Sequence, residues 1–324
     1  MGLSGRKLFK LSALTTMVAV LLIVGAAAGW KIADEKEYNQ EHQYLLLDPS
    51  VSNPGVHQEI INFDSLRQDL KSYLASLNVQ HSLYFEYLPN GVSIRDGADQ
   101  SSVAASLMKV PIIMDLYKLS ENKKINLDQP ETVQSKYISA DADYGNPTQI
   151  HTGDKLTLRQ ASKITLMYSD NTTVSLIKDK ILPIVNNNTD SIQSLDITYS
   201  LTGTTPGNEQ VNISSRSYAS ILKCLYYACF VNASNSQQIL QELTGSADHN
   251  RLMAGVPATV KIAHKVGSST STQSDCGIIY LPGKPYLVCL MFYNLDNQKE
   301  VGIDQDFKTI SSKIFSYVNS SGNS

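Results

Sequence analysis

Ser106 and Lys109 stand three residues apart in the run Ala104-Ala105-Ser106-Leu107-Met108-Lys109-Val110, which is otherwise small or apolar. A serine hydroxyl is a weak nucleophile until a base takes its proton. A lysine can be that base when burial and neighbouring positive charge lower its pKa. The pair therefore has the parts for nucleophilic attack on a carbonyl. Spacing alone is a poor guide, because Ser-x-x-Lys occurs five times, starting at Ser4, Ser106, Ser120, Ser175 and Ser220. Two further groups come later in order, Ser169-Asp170-Asn171 and His264-Lys265-Val266-Gly267. They add a second hydroxyl, an amide and a second ammonium.

The elements around these residues decide which copy matters. The pattern predicts a helix from Leu107 to Leu119 that is apolar almost all round, with Met108, Val110, Ile112, Ile113, Met114 and Leu116. Such a helix lies in the middle of a domain. Pro111 must then sit near its first turn, where a missing N–H is tolerated. Ser106 falls at the helix N-terminus, where the dipole favours a developing anion, and Lys109 lies one turn in on the same face. Ser4 sits in a basic N-terminal stretch and Ser120 opens a charged turn, while Ser175 and Ser220 lie inside ordinary amphipathic helices.

Other elements are expected on either side. Asn62 could cap a helix with Leu66, Leu70, Leu74 and Leu77 on its apolar face. Residues 82–88 read as a strand, and Pro89-Asn90-Gly91 turns into a second strand near Val92–Ile94. Residues 156–168 and 214–230 read as amphipathic helices. Residues 258–267 read as a strand, and two more, joined by Pro282-Gly283-Lys284-Pro285, form a hairpin. A helix on Phe307, Ile310, Ile314, Phe315 and Val318 closes the chain. Strands at both ends with helices between predict an α+β fold: one antiparallel sheet flanked by helices, with an all-helical subdomain.

The first 57 residues are of another kind. Arg6, Lys7 and Lys10 precede a 20-residue apolar run, residues 11–30, about the length that spans a bilayer. The expected organisation is a cytoplasmic basic segment 1–10, a transmembrane anchor 11–30, a linker 31–57 and a domain 58–320. The basic flank places the domain outside the membrane; a cleaved signal peptide is the rival, with Ala26-Ala27-Ala28 as its cleavage site, and the product would then be secreted. A net charge of −3 gives no reason to expect nucleic acid as a partner. Cys224, Cys229, Cys276 and Cys289 form no close pair of the zinc-site kind, so no metal is expected. Cys276 and Cys289 could meet across the hairpin, but buried free thiols are the favoured reading, since a domain of this size needs no staple.

Ser-x-x-Lys, Ser-Asp-Asn and Lys-Thr-Gly together mark class A β-lactamases and penicillin-binding proteins. With these motifs in order, the sequence resembles that penicillin-recognising serine hydrolase family over about residues 60–318. The resemblance implies that Ser106 attacks a carbonyl and becomes an acyl-enzyme, that Lys109 takes its proton, and that Ser169 passes a proton to the leaving nitrogen. Asn171 would hold the substrate's amide side chain. Lys265 would supply charge for a substrate carboxylate, and Gly267 would let the strand approach closely. The backbone N–H groups of Ser106 and Ser268 would form the oxyanion hole. No cofactor is implied. The implied partner is a β-lactam or a peptidoglycan stem peptide, met by a monomer at a bacterial cell membrane.

Two departures stand out. Val266 replaces the family's threonine or serine, whose hydroxyl helps bind a carboxylate. In the loop 194–212, the glutamate that activates the deacylating water falls on Thr198 or Tyr199; Asp196 lies early and Glu209 about ten residues late. Neither Thr198 nor Tyr199 is a base near neutral pH. Acylation without rapid deacylation is the expectation. The alternatives are a D,D-carboxypeptidase acting on stem peptides and a binding module without turnover.

Overall fold

The computed structural model describes residues 44–51, 61–139, 149–185, 211–296 and 302–321. The expected span 11–30, the linker apart from residues 44–51, and the loop positions Asp196, Thr198, Tyr199 and Glu209 lie outside these residues. Among the described residues, no helix is long and apolar enough to cross a membrane. The chain divides into two compact units. Of the first, the described residues are Tyr44, Leu45 and a short 3-10 turn, Pro49–Val51; the second holds Leu46–Asp48 and every described residue from Ile61 to Ser321.

Five strands make one antiparallel sheet: β1 (Gln80–Tyr87), β2 (Val92–Asp96), β7 (Lys261–Ser268), β8 (Thr272–Tyr280) and β9 (Tyr286–Tyr293), in the order β2-β1-β9-β8-β7. Gly91, at φ 73°, makes the tight turn between β1 and β2 that Asn90-Gly91 signals. Alternate residues point to opposite faces. Leu83, Phe85, Tyr87, Ile262, Ile279, Val288, Leu290 and Phe292 share one face and pack against α1 (Asp64–Ser76) and α7 (Ile303–Ser320). Leu66, Leu70 and Leu74 of α1 and Phe307, Ile310, Ile314 and Val318 of α7 complete that core. Helix α1 starts at Asp64 with Phe63, not Asn62, at its N-cap; Asn62 stands one residue further out, where its Oδ1 accepts from the Asp64 N–H at 2.8 Å.

The opposite face, with Ser82, Lys265, Cys276, Cys289 and Met291, meets the helical part. There α5 (Ser215–Tyr226) lies on β1, β8 and β9, and Ser82 Oγ bonds Ser215 Oγ at 2.7 Å. Helices α2 (Lys109–Glu121), α3 (Leu158–Tyr168), α4 (Asn171–Val185) and α6 (Ala233–Leu243) pack around one another. Two small strand pairs, β3 (Ser101–Val103) with β6 (Asn212–Ser214) and β4 (Pro130–Thr132) with β5 (Lys155–Thr157), join this part. Thr157 and Gln160 form a reciprocal capping box at the start of α3. Helix α2 is buried as its composition requires: Val110, Ile113, Leu116 and Tyr117 have no exposed surface.

Three expectations need correction. The α-helix begins at Lys109, not Leu107; Ser106 lies in a separate 3-10 turn, Ala105–Met108, because Ala105 adopts φ 47° and stops the helix from extending backwards. Helix α5 ends at Tyr226, short of residue 230, where Ala228 takes φ 51°. The cysteines are not free thiols: Cys224 pairs with Cys229 and Cys276 with Cys289. Register explains the second pair, since Cys276 and Cys289 face each other across β8 and β9.

The pairing of all four cysteines can be tested directly. Unfolded without reductant, the protein should take up no alkylating reagent; after reduction it should take up four equivalents, read by intact mass. Replacing Cys276 and Cys289 together by alanine should cost roughly 2–4 kcal/mol in denaturant unfolding.

Candidate active site

Three walls converge on Ser106. The first is the 3-10 turn. Ala105 holds the left-handed region, where non-glycine residues are uncommon. Such backbone persists only when its surroundings over-determine it. The turn leaves Ser106 half-buried and places Lys109 at the head of α2, 5% exposed. Lys109 Nζ donates to Ser106 Oγ at 3.1 Å.

The second wall is the break between α3 and α4. Ser169 ends α3 at φ 58° and ψ 30°, and Asn171 opens α4. Asp170 holds the break, its Oδ1 accepting from Thr173 N at 2.6 Å and Thr173 Oγ1 at 2.9 Å. The result turns both flanking side chains toward Lys109. Its Nζ donates to Ser169 Oγ at 3.1 Å, to Asn171 Oδ1 at 2.7 Å and to the Ser169 carbonyl.

The third wall is β7. Lys265 Nζ donates to Ser169 Oγ at 2.9 Å and to the Val266 carbonyl at 3.2 Å. Lys265 is 1% exposed. Burial pushes its ammonium down to about 7, and the charge of Lys109 adds to the effect, against the pull of Asp275 and Asp248. Gly267 brings the strand against the turn. A Cβ there would stand 2.6 Å from Ser274 Oγ, 2.8 Å from the Ala104 carbonyl and 3.0 Å from Leu107 Cγ. Val266 points to the other face of the strand and is buried. Ser268 Oγ accepts from Arg251 Nη2 at 2.8 Å.

The structure thus brings Ser106, Lys109, Ser169, Asn171 and Lys265 into one hydrogen-bonded group, with Gly267 and Ser268 along its strand. Ser106 Oγ, Lys109 Nζ, Ser169 Oγ and Lys265 Nζ form an alternating row of hydroxyls and amines, each within 3.1 Å of the next. A neutral amine in that row can accept a proton from Ser106, and the second hydroxyl can pass one onward. Sequence reading missed Arg251, a lone cation between Asn250 and Leu252. It also gave no role to His264, whose Nδ1 lies 2.9 Å from Asp275 Oδ1. Burial opposes charging His264, but the charge and hydrogen bond of Asp275 outweigh it and raise the pKa. No spacing rule links Arg251 or Asp275 to the motifs, and each follows a polar stretch, Asp248-His249-Asn250 and Thr272-Gln273-Ser274, that gives no local signal of burial.

Comparison with known proteins gives concordant findings. The model of the Beta-lactamase enzyme family matches residues 65–318. The chain is 25% identical to β-lactamase CTX-M-8 of Citrobacter amalonaticus over 211 residues, covering 62% of this chain and 72% of that protein. It is 26% identical to a β-lactamase of Proteus vulgaris over 227 residues, 64% of this chain and 74% of that one. Among solved structures, PBP-A superposes with a TM-score of 0.70 at 19% identity, covering 82% of this chain and 99% of that one. A β-lactamase from Sphaerobacter thermophilus superposes at 0.65 and 19% identity, covering 80% and 98%. A mutant of PBP-A has been solved as an acyl-enzyme complex with penicillin G.

Two outcomes are expected. Gly267→Ala should push β7 away from the 3-10 turn and slow any reaction at Ser106 by roughly tenfold or more, a penalty of over about 1.4 kcal/mol; reactivity of Ser106 toward a fluorophosphonate probe would show it. The second concerns pH. The folded pKa of Lys265, about 7, lies below its unfolded value of 10.5. Between those values the unfolded chain binds more protons, so the Lys265 contribution to stability is least below pH 7 and rises as pH climbs above it. Lys265→Met should flatten that rise in urea midpoints measured from pH 6 to 9; an unchanged slope would assign it to another group.

Proposed function

The chain belongs to the beta-lactamase enzyme family, and from that premise we propose that it is a serine hydrolase forming an acyl-enzyme on Ser106. The observation that carries this reading is the contact of Lys109 Nζ with both Ser106 Oγ and Ser169 Oγ, each at 3.1 Å. Ser106 Oγ attacks the carbonyl carbon of an amide, and its proton goes to Lys109. The tetrahedral oxyanion is held by the N–H groups of Ser106 and Ser268, donors of a kind typically worth about 10²–10³ in rate each. Ser169 delivers a proton to the leaving nitrogen and is resupplied through Lys109 or Lys265. Asn171 lies beside Lys109 and orients the substrate's amide side chain. Lys265, while protonated, attracts a substrate carboxylate.

The substrate class is a β-lactam or the D-Ala-D-Ala end of a stem peptide. The acyl-enzyme of a PBP-A mutant with penicillin G shows that a neighbour of this fold takes the former. A second reading, D,D-carboxypeptidase, is favoured by Thr198 and Tyr199 at the place of the water-activating glutamate. Without that base, a penicilloyl ester on Ser106 hydrolyses slowly. The domain works outside the cytoplasmic membrane, held by residues 11–30 or released from them. Two disulfides suit that oxidising side.

The test is intact mass of the full chain mixed with benzylpenicillin and monitored over time. A persistent adduct is expected, absent in Ser106→Ala and formed at least about 10²-fold more slowly in Lys109→Met. A transient adduct with loss of drug would make the protein a β-lactamase proper and remove the argument from the missing glutamate. Wild-type protein that never carries an adduct would sink the acyl-enzyme proposal for β-lactams.

A further inference from the structure

Arg251 is 6% exposed and sits behind the edge of β7, at the opening of the 3-10 turn Leu252–Gly255. A guanidinium carries five N–H donors in a fixed plane. All five meet acceptors of the protein itself. Nε reaches Asp304 Oδ1 at 3.3 Å. Nη1 donates to the Gly267 carbonyl at 3.2 Å and the Ser274 carbonyl at 2.7 Å. Nη2 donates to Ser268 Oγ at 2.8 Å and to Gln273 Oε1. Four of these acceptors belong to the end of β7 and the start of β8, the Gly267–Ser274 and Ser268–Gln273 pairs of the ladder. The ring of Phe307 covers the guanidinium, 5.4 Å from its carbon to the ring centroid.

The arginine is itself held in place. Asp275 has no exposed surface. Its Oδ2 accepts from the Leu252 N–H at 3.0 Å, fixing the backbone next to Arg251. Its Oδ1 meets His264 Nδ1 at 2.9 Å. The chain of contacts thus runs from β8 through Asp275 to the Arg251 backbone, and from the Arg251 side chain back to the rim of β7.

We propose that Arg251 is a positioning residue that pins the β7 rim, and with it the Ser268 N–H of the oxyanion hole, by its planar fork, rather than a cation offered to the substrate carboxylate. The observation behind this is saturation: no donor of Arg251 is left over for an anion. Lysine cannot replace the fork, since an ammonium is a point charge with three donors and no fixed plane. The kinetic part of the test rests on the acyl-transfer reading; the exchange part does not.

The full chain is compared with Arg251→Lys and Arg251→Gln. In hydrogen–deuterium exchange, both variants should exchange faster across Gly267–Ser274 with β1 and β2 unchanged. With benzylpenicillin and with its methyl ester, both variants should acylate Ser106 at least tenfold more slowly, by the same factor for the two compounds. A loss confined to the free acid, or an Arg251→Lys variant with the wild-type rate, would make Arg251 a charge for the substrate and overturn the proposal. Unchanged exchange at the rim would overturn it equally. Should the wild-type protein not acylate, the function proposed above fails while exchange still decides the role of Arg251. Should the arginine variants not fold, Gln273→Ala, which removes one acceptor, should loosen the same rim in the same direction; no change there counts against the pin.

Discussion

Two ammonium groups share one hydroxyl. Lys109 and Lys265 each place Nζ within 3.1 Å of Ser169 Oγ, in a spot almost shut off from water. Like charges that close repel strongly where the dielectric is low, and a buried lysine readily gives up its proton. The pull of Lys265 down to about 7 is the visible sign. A protein that must hold such a pair cannot let its walls relax, because any slack lets the amines part or water enter. The left-handed turns at Ala105 and Ser169 and the packed helices around α2 serve that single demand.

The sheet contributes its edge. Strand β7 approaches the nucleophile's turn so closely that Gly267 has no room for a methyl group. The face of β7 that carries Lys265 looks into the helical part, while His264 and Val266 look toward α7, and Asp275 joins them there across the ladder. Chemistry on one face is therefore braced by polar contacts on the other. Val266 lacks the hydroxyl usual at its position and is buried on the bracing side. The polar contacts at this rim come instead from Ser268 and Arg251.

Much of this could be read from residue types. The near-continuous apolarity of Leu107–Leu119 marks a central helix, and Pro282-Gly283-Lys284-Pro285 marks the turn of the hairpin that becomes β8 and β9. Ser169 and Lys265 could be tied to Ser106 because the motifs occur in order on the elements expected of them. The start of α2 could not be read, since nothing local tells that Ala105 adopts a positive φ; the packing imposes it. The hairpin already offers Cys276 to Cys289 in sequence, and only the argument from domain size sets that pair aside, whereas the Cys224–Cys229 pair depends on α5 stopping at Tyr226, which no residue type announces. Arg251 escaped notice for a similar reason. Its acceptors are two carbonyls and three side chains drawn from three separate segments, which meet only after the sheet is built.

The strand order carries a consequence for how the chain reaches this state. Besides its hairpin partner β2, strand β1 pairs with β9, the last of the described strands, so that His81 lies opposite Phe292. During vectorial synthesis, the emerging β1–β2 hairpin waits for nearly the whole chain before its second neighbour exists. The helix α7 that covers the shared core comes later still. Pairings this distant in sequence are slow to close, and until they do, Phe85 and Tyr87 remain open to solvent. The sheet order itself therefore leaves the nascent chain with an unsealed hydrophobic face for most of its elongation time.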